Sequence, residues 1–300
     1  MIFSADIEDW QQSVWDFERP ISRRVVANTE RLLTILQKHS VTGTFFVQGM
    51  VADAYPELIR SISEQGHELA SHAWSHQPLY TLSPNEFRDE LRRSVDTLQQ
   101  LSGQKIIGFR APTFSLQDSM LDWYCEALHE QGICYDSSVM LAQVRKVYGF
   151  SSAAILQQLK QRGIASYPLS VASVMGKSIP VMGGGYFRIF PYWLTQLLAQ
   201  QLNHDSSIFY MHPYELDTKE YREVAKPAGI KPLYALHQFA GRNSIPSKLN
   251  RLLQNYAFTS FQKYYYPTPS RTQTPCSTQN ASDANLSAKF SSKKEPPCAA

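Results

Sequence analysis

The 300-residue chain is short of most features that would tie it to a membrane, a nucleic acid or an export route. No stretch approaches the roughly 18 consecutive apolar residues of a membrane span, so it is not expected to be an integral membrane protein. The opening "MIFSADIEDW" has no basic head and no apolar run, and an acid already stands at position 6. No secretion signal is read there. The net charge is only +3, which makes no electrostatic case for nucleic acid or for an anionic membrane. The four cysteines, Cys125, Cys134, Cys276 and Cys298, include no CxxC pair and read as free thiols of a reducing compartment. A cytoplasmic location is the resulting expectation. No internal repeat is visible.

What is present is an ordinary globular balance, 43 % hydrophobic and 18 % charged, long enough for a sizeable core. Strand-like and helix-like stretches alternate through the first half. "MIFSAD" is a short apolar run ending in acid, and "SRRVVANTERLLTILQKHS" has apolar residues at helical spacing. "VTGTFFVQG", "HELASH", "KIIGFRAP" and "ICYDSS" read as strands, separated by "VADAYPELIRSISEQG", "SPNEFRDELRRSVDTLQQLSG" and "DSMLDWYCEALHEQG" as helices. The longest helix carries its own punctuation: Ser83 to cap, Pro84 in the first turn and Glu86 to complete a capping box. This alternation argues for a parallel sheet with helices outside, and about seven such units can curl into a distorted parallel (β/α) barrel. An open doubly wound sheet is the other arrangement the pattern allows. Later, "AAILQQLKQRG" and "PYWLTQLLAQQLN" look helical and "SSIFYMHP" looks like a strand. The three glycines of "IPVMGGGYFRIFPY" suggest a loop with unusual backbone angles. From about Pro267 the composition turns to Ser, Thr, Pro, Asn and Lys, and 267–300 reads as a disordered tail.

In parallel barrels, chemistry gathers at the C-terminal ends of the strands. The polar residues at those ends are Asp6, Glu8 and Asp9, then His72 and His76, Arg110, Asp136 and His212. His72 and His76, four apart, would share one side of a helical turn and grip one zinc ion. In a strand, residues two apart share a face, so Asp6 and Glu8 would point together. One such acid can hold a metal while the other takes a proton from water. His67 stands at the opposite end of the same strand and reads as structural. Phosphate binding is not expected of "GGGYFR", because no lysine follows it.

Five blocks in order, "SADIEDW", "HAWSH", "FRAPTF", "YDSS" and "FYMHP", resemble the polysaccharide deacetylases, carbohydrate esterase family 4 with the NodB homology domain. Ala73 stands where the family's second block usually has a small hydroxyl residue. The resemblance covers about residues 1–217. A narrower likeness, through "DIEDW", "FRAPTF", "YDSS", "GGGYFR" and "MHPYELD", is to the exosortase-associated subgroup, which tends to occur with exopolysaccharide synthesis machinery. That subgroup's C-terminal extension resembles 218–266 here.

The resemblance implies a NodB-type barrel over 1–217 and a metal-dependent hydrolase. It would remove N-acetyl groups from an N-acetylated amino-sugar polysaccharide, in exopolysaccharide biosynthesis and in association with that machinery. A lipid-linked precursor at the inner membrane face is one option for the substrate. The implied metal ligands are an acid, His72 and His76. The acid is either Glu8 or Asp9, and the same-face argument selects Glu8. Asp6 is then the general base, Arg110 its partner, the Thr113 amide an oxyanion donor and His212 the acid for the leaving nitrogen. Asp136 would hold His212 protonated, and Tyr186 and Arg188 would touch the sugar. Zinc is the default for two imidazoles and a carboxylate, although cobalt, nickel or iron can occupy a similar shell. The competing readings are another amide or imide hydrolase on the same fold, and a catalytically silent carbohydrate-binding protein.

Overall fold

The computed structural model describes residues 1–141, 153–174, 176–202 and 207–267. The expected tail, from 268 onward, lies outside them. Seven strands form one all-parallel sheet, curled into a half-barrel: β1 (Ile2–Ile7), β2 (Thr44–Val47), β3 (Glu68–Ser71), β4 (Gly108–Phe109), β5 (Tyr135–Asp136), β6 (Ala165–Ser166) and β9 (Ile208–Met211). The order across the sheet is β6-β5-β4-β3-β2-β1-β9. A hairpin absent from the sequence reading, β7 (Val171–Val174) with β8 (Lys177–Pro180), stands apart as a second sheet.

Helices α1 (Arg24–Lys38), α2 (Gly49–Ala54), α3 (Pro56–Glu64), α4 (Pro84–Ser102), α5 (Leu121–Glu130) and α6 (Ala153–Gln161) lie between the strands. α1 buries Val25, Thr29, Leu32, Leu33 and Leu36, one stripe at helical spacing. The single helix expected over "VADAYPELIRSISEQG" is split. Tyr55 leaves the helical region (φ −137°, ψ 66°), since the residue before proline is disfavoured there, and Pro56 opens a new helix. α4 starts as its punctuation requires: the Ser83 hydroxyl accepts from the Glu86 N–H and the Glu86 carboxylate accepts from the Ser83 N–H.

The period-two alternation of the strands divides the interior from the helix-facing layer. Phe3, Ala5, Ile7, Phe45, Val47, Leu69, Phe109, Phe209 and Met211 belong to the large core under the helices. Ile2, Phe46, Ala70, Tyr135, Ile208 and Tyr210 form a second cluster inside the barrel. Register sets these inner residues in layers: Ser4 beside Thr44 beside Glu68, then Asp6 beside Phe46 beside Ala70. The next inward positions are Glu8, His72, Arg110 and His212, so the alternation itself brings polar groups to the upper rim.

The "GGGYFR" stretch is a short helix, α7 (Gly184–Ile189), not a loop; α8 (Tyr192–Ala199) follows it. The unusual angles fall on Gly183 and Gly184. A Cβ on Gly183 would sit 1.8 Å from the Tyr210 carbonyl oxygen, where this segment runs against β9 and Met182 accepts from the Tyr210 N–H. After β9 come α9 (Pro232–Phe239), α10 (Ile245–Asn255) and α11 (Phe261–Tyr265). The last of these closes the lower end of the barrel. Thr259 bridges to Ile2, and Phe261 packs its ring against Phe46 and Tyr135. The Gln262 N–H donates to buried Glu68, whose carboxyl is pushed up by that burial. Of the two cysteines among the described residues, Cys125 is a buried free thiol and Cys134 is disulfide-bonded, so the free-thiol expectation fits only the first.

Candidate active site

Two loops at the upper rim carry the polar groups. The first, after β3, holds His72 and His76. It is not the helical turn inferred from their spacing. It is an irregular loop in which Ala73 (φ 57°) and His76 (φ 66°) take left-handed backbone. The loop is pinned from both sides. The first amides of α2, Gly49 and Met50, donate to the carbonyls of Ala73 and Trp74, and Glu90 of α4 accepts from the Trp74 and Ser75 N–H groups. The second loop, after β4, holds Arg110 and Thr113, with positive φ at Thr113 and Phe114. Among the described non-glycine residues only Ser40 has positive φ outside these two loops. Such backbone is held only where the surroundings over-determine it, which marks this rim as a candidate site.

Glu8, His72 and His76 are all buried, and one ligand atom from each lies within 4.8 Å of the others. Glu8 Oε2 is 3.5 Å from His72 Nε2 and is also paired with His76 Nε2. It makes no hydrogen bond although it is fully buried, and His76 Nδ1 is likewise without one. His72 Nδ1 faces the Arg110 carbonyl oxygen at 2.7 Å. That contact requires Nδ1–H, which leaves the Nε2 lone pair aimed at the trio. Burial pushes the Glu8 carboxyl up, but His76, His212 and His72 outweigh it and hold it well below the usual carboxylate range. A carboxylate with two imidazoles, an orphaned oxygen and a tautomer fixed from behind fit a divalent cation. Asp9, the other candidate acid, is turned away: it accepts from the Ser22 N–H and hydroxyl, each at 2.8 Å.

Asp6 lies beside the trio. Its Oδ1 accepts from Arg110 Nη1 at 2.5 Å, and its Oδ2 is 3.9 Å from His212 Nε2. Arg110 is fully buried. It also reaches the Ser4 and Ser137 hydroxyls and the Ser137 carbonyl, and its guanidinium lies 4.0 Å above the Phe46 ring. In the second loop the Phe114 and Ser115 amides close onto the Ala111 and Pro112 carbonyls. Thr113 is half-buried in this turn and holds left-handed backbone (φ 53°).

A family profile described as "Polysaccharide deacetylase" matches residues 19–131, which hold His72, His76, Arg110 and Thr113. Residues 19–131 thus form a polysaccharide deacetylase family segment. A second profile, a domain of unknown function (DUF3473), matches 137–266 and holds Tyr186, Arg188 and His212. The chain is 29 % identical over 98 residues to a peptidoglycan-N-acetylglucosamine deacetylase of Bacillus cereus, covering 33 % of this chain and 36 % of that protein. It is 35 % identical over 77 residues to the peptidoglycan-N-acetylmuramic acid deacetylase PdaA of Bacillus subtilis, covering 26 % and 29 %. The aligned stretches thus span about a third of these relatives. The crystal structure of the Bc1960 peptidoglycan N-acetylglucosamine deacetylase shares the fold, with a TM-score of 0.50 at 14 % identity over 90 % of each chain.

Not every expected site residue comes to the rim. Asp136 does not reach His212. It pairs in register with Phe109, on the helix-facing side of the sheet, and accepts from the Tyr124 hydroxyl at 2.6 Å, from Ser166 and from Ser138. Ser138 in turn accepts from the Ala111 N–H, so Asp136 braces the Arg110 loop instead. The carboxylate beside His212 is Glu215, 3.8 Å from Nδ1 and accepting from the His212 N–H. Sequence reasoning missed it, although "HPYE" carries the three-residue spacing of a capping box. Burial lowers the His212 pKa, but Glu8, Glu215 and Asp6 together raise it to about 9. Arg188 is buried and engaged by Glu215 and the His237 carbonyl. It touches the support of His212 rather than the open mouth. Tyr186 is half-buried against Phe190.

Proposed function

We propose that this chain is a metal-dependent hydrolase that removes N-acetyl groups from an amino-sugar polysaccharide. The convergence of Glu8, His72 and His76, with Asp6 and His212 alongside, carries the reading. The names of the relatives, both deacetylases of acetamido sugars, support the substrate class. The likeness of "DIEDW", "GGGYFR" and "MHPYELD" to the exosortase-associated subgroup supports a place in exopolysaccharide biosynthesis, beside that machinery. The same proposal takes 1–217 as the catalytic barrel and 218–266 as an extension that reaches its rim through Gln238, bonded to Trp10.

Glu8, His72 and His76 would hold the ion, with zinc the first candidate. When bound, a divalent ion there supplies Lewis acidity that makes water a nucleophile at neutral pH. The chain's own groups do the rest. Asp6 takes the proton of the attacking water, with Arg110 fixing its orientation from behind. The Thr113 N–H donates to the oxygen that becomes negative as water adds to the acetyl carbon. His212, braced by Glu215, gives its proton to the nitrogen as the C–N bond breaks. Acetate and a free amine result. Trp10, two residues beyond Glu8, is fully buried beneath the extension and shapes the rim without facing substrate.

The test is acetate release from an N-acetylglucosamine oligomer, with and without chelator and with individual divalent metals restored. Chelator-sensitive release supports the proposal. Hydrolysis of a small imide without any release from the sugar would favour the same-fold alternative. Binding of the sugar with no release under any metal would favour a silent carbohydrate-binding protein.

A further inference from the structure

The two imidazoles of the candidate metal trio are held by different means. His72 is fixed through its own ring, because Nδ1 meets the Arg110 carbonyl oxygen. His76 Nδ1 is buried and bonded to nothing. Phe17 stacks against the His76 ring at 6.4 Å between centroids, but a stacked ring sets no hydrogen-bond direction. The aim of His76 Nε2 is therefore decided by the backbone that carries it.

That backbone is held against its own preference. Ala73 and His76 are left-handed, while Trp74 and Ser75 between them are not. Such angles persist in non-glycine residues only where the surroundings enforce them. Here the enforcement is continuous. From the Ala73 carbonyl to the Ser75 carbonyl, five successive polar groups each meet a partner from elsewhere in the chain. The Gly49 and Met50 amides donate to the Ala73 and Trp74 carbonyls, and the Gln12 side-chain amide donates to the Ser75 carbonyl. The intervening Trp74 and Ser75 N–H groups both donate to one oxygen, Oε2 of Glu90, at 2.9 and 2.8 Å. Backbone of mixed hand turns successive N–H groups to one side and makes a hollow for an anion. Glu90 supplies that anion and is the only charged side chain among these partners. One turn further along α4, Arg93 lies 3.6 Å over the Trp74 ring. The same ring lies against Gly49, where a Cβ would come within 2.4 Å of it. α4 thus grips both the backbone and the side chain of the residue midway between the two imidazoles. The Glu90 bonds run to backbone, not to the three ligand side chains.

We propose that Glu90 is a positioning residue for His76, and that it sets how tightly the Glu8–His72–His76 trio binds a divalent cation. This rests on the metal-centre reading above. The experiment titrates the full, chelator-stripped chain with zinc by calorimetry and with cobalt by its visible absorption, which reports ligand geometry. Each protein is held at a temperature where circular dichroism shows it folded. Glu90→Ala should weaken zinc binding by about 10–100-fold, the usual effect of losing an outer partner of a ligand, and should alter the cobalt spectrum. Glu90→Gln keeps an oxygen able to accept both N–H groups and should stay within a few-fold of wild type. Ser83→Ala removes the α4 cap, so it lowers the thermal midpoint without touching the loop, and its zinc affinity should be unchanged. A wild type that binds neither ion overturns the metal centre and this proposal with it. A wild type that binds both, matched by Glu90→Ala in affinity and cobalt spectrum, overturns the role of Glu90 alone. Equal weakening in Ser83→Ala and Glu90→Ala also overturns that role, because helix stability would then suffice. Should Glu90→Ala not fold, Glu90→Asp decides: it draws the acceptor back by one methylene, and wild-type zinc affinity in it overturns the proposal.

Discussion

Replacing Arg110 by methionine should expose how the candidate site is bound into the fold. Arg110 is 0 % and Asp6 2 % exposed, so each depends on the other as counter-charge. For a pair about 4 Å apart in charge centres, attraction at an effective dielectric near 20 is about 4 kcal/mol, and desolvation consumes much of it. Breaking such a pair strands a buried charge, which costs about 3–5 kcal/mol. Arg110→Met and Asp6→Asn should therefore each lower unfolding free energy by about that amount. The arginine variant sits at the upper end, because the Ser4 and Ser137 hydroxyls also lose their donor. The double variant removes both charges and should recover about 2 kcal/mol or more relative to the sum. Urea denaturation of the four proteins at neutral pH, with chelator present throughout, measures this cycle. Both single variants should lose acetate release, and Asp6→Asn should still bind metal, because Asp6 is not among the three clustered ligand atoms. Additivity within about 0.5 kcal/mol would refute the claim that this is a mutually dependent buried pair.

Glu8→Gln or His72→Ala should abolish stoichiometric metal by elemental analysis, whereas Asp9→Asn should retain it, since Asp9 is occupied by Ser22. His212→Ala should keep its metal and lose about 10²–10⁴-fold in kcat, the usual contribution of a positioned acid; undiminished turnover would remove His212 from the mechanism. His67, at the lower end of β3, gives a pH prediction independent of the metal. Burial, with Lys263 adding to it, lowers its pKa from 6.5 to about 4. The folded state keeps the ring neutral while the unfolded chain takes up a proton below 6.5. Its contribution is therefore intact above neutral pH and is lost as pH falls from 6.5 towards 4, by about 3 kcal/mol in total. His67→Gln should flatten the acid limb of stability by up to that amount in urea titrations across this range, and parallel limbs in the two proteins would contradict the assignment.

The chain's own pattern determined a good deal. The alternation of strand and helix, the capping box at Ser83 and the acids and imidazoles at strand ends are local properties, legible because periodicity and caps act within a few residues. Asp6 and Glu8, two apart, announced a shared face, and that inference led to Glu8 over Asp9. Tertiary structure decided the rest, for reasons of parity and long-range pairing. Whether Asp136 faces inward or outward depends on its register against Phe109, and a strand of two residues carries no alternation from which to read it. The bend that brings His76 back to His72 is set by α2 and Glu90, which pin the loop from elsewhere in the chain. Arg188 finds Glu215 across 27 residues, and Phe261, plugging the barrel, donates its N–H to Thr44 across 217. Those contacts exist only once the sheet has curled, because the energy that selects them comes from burial and pairing between residues that are not neighbours in sequence.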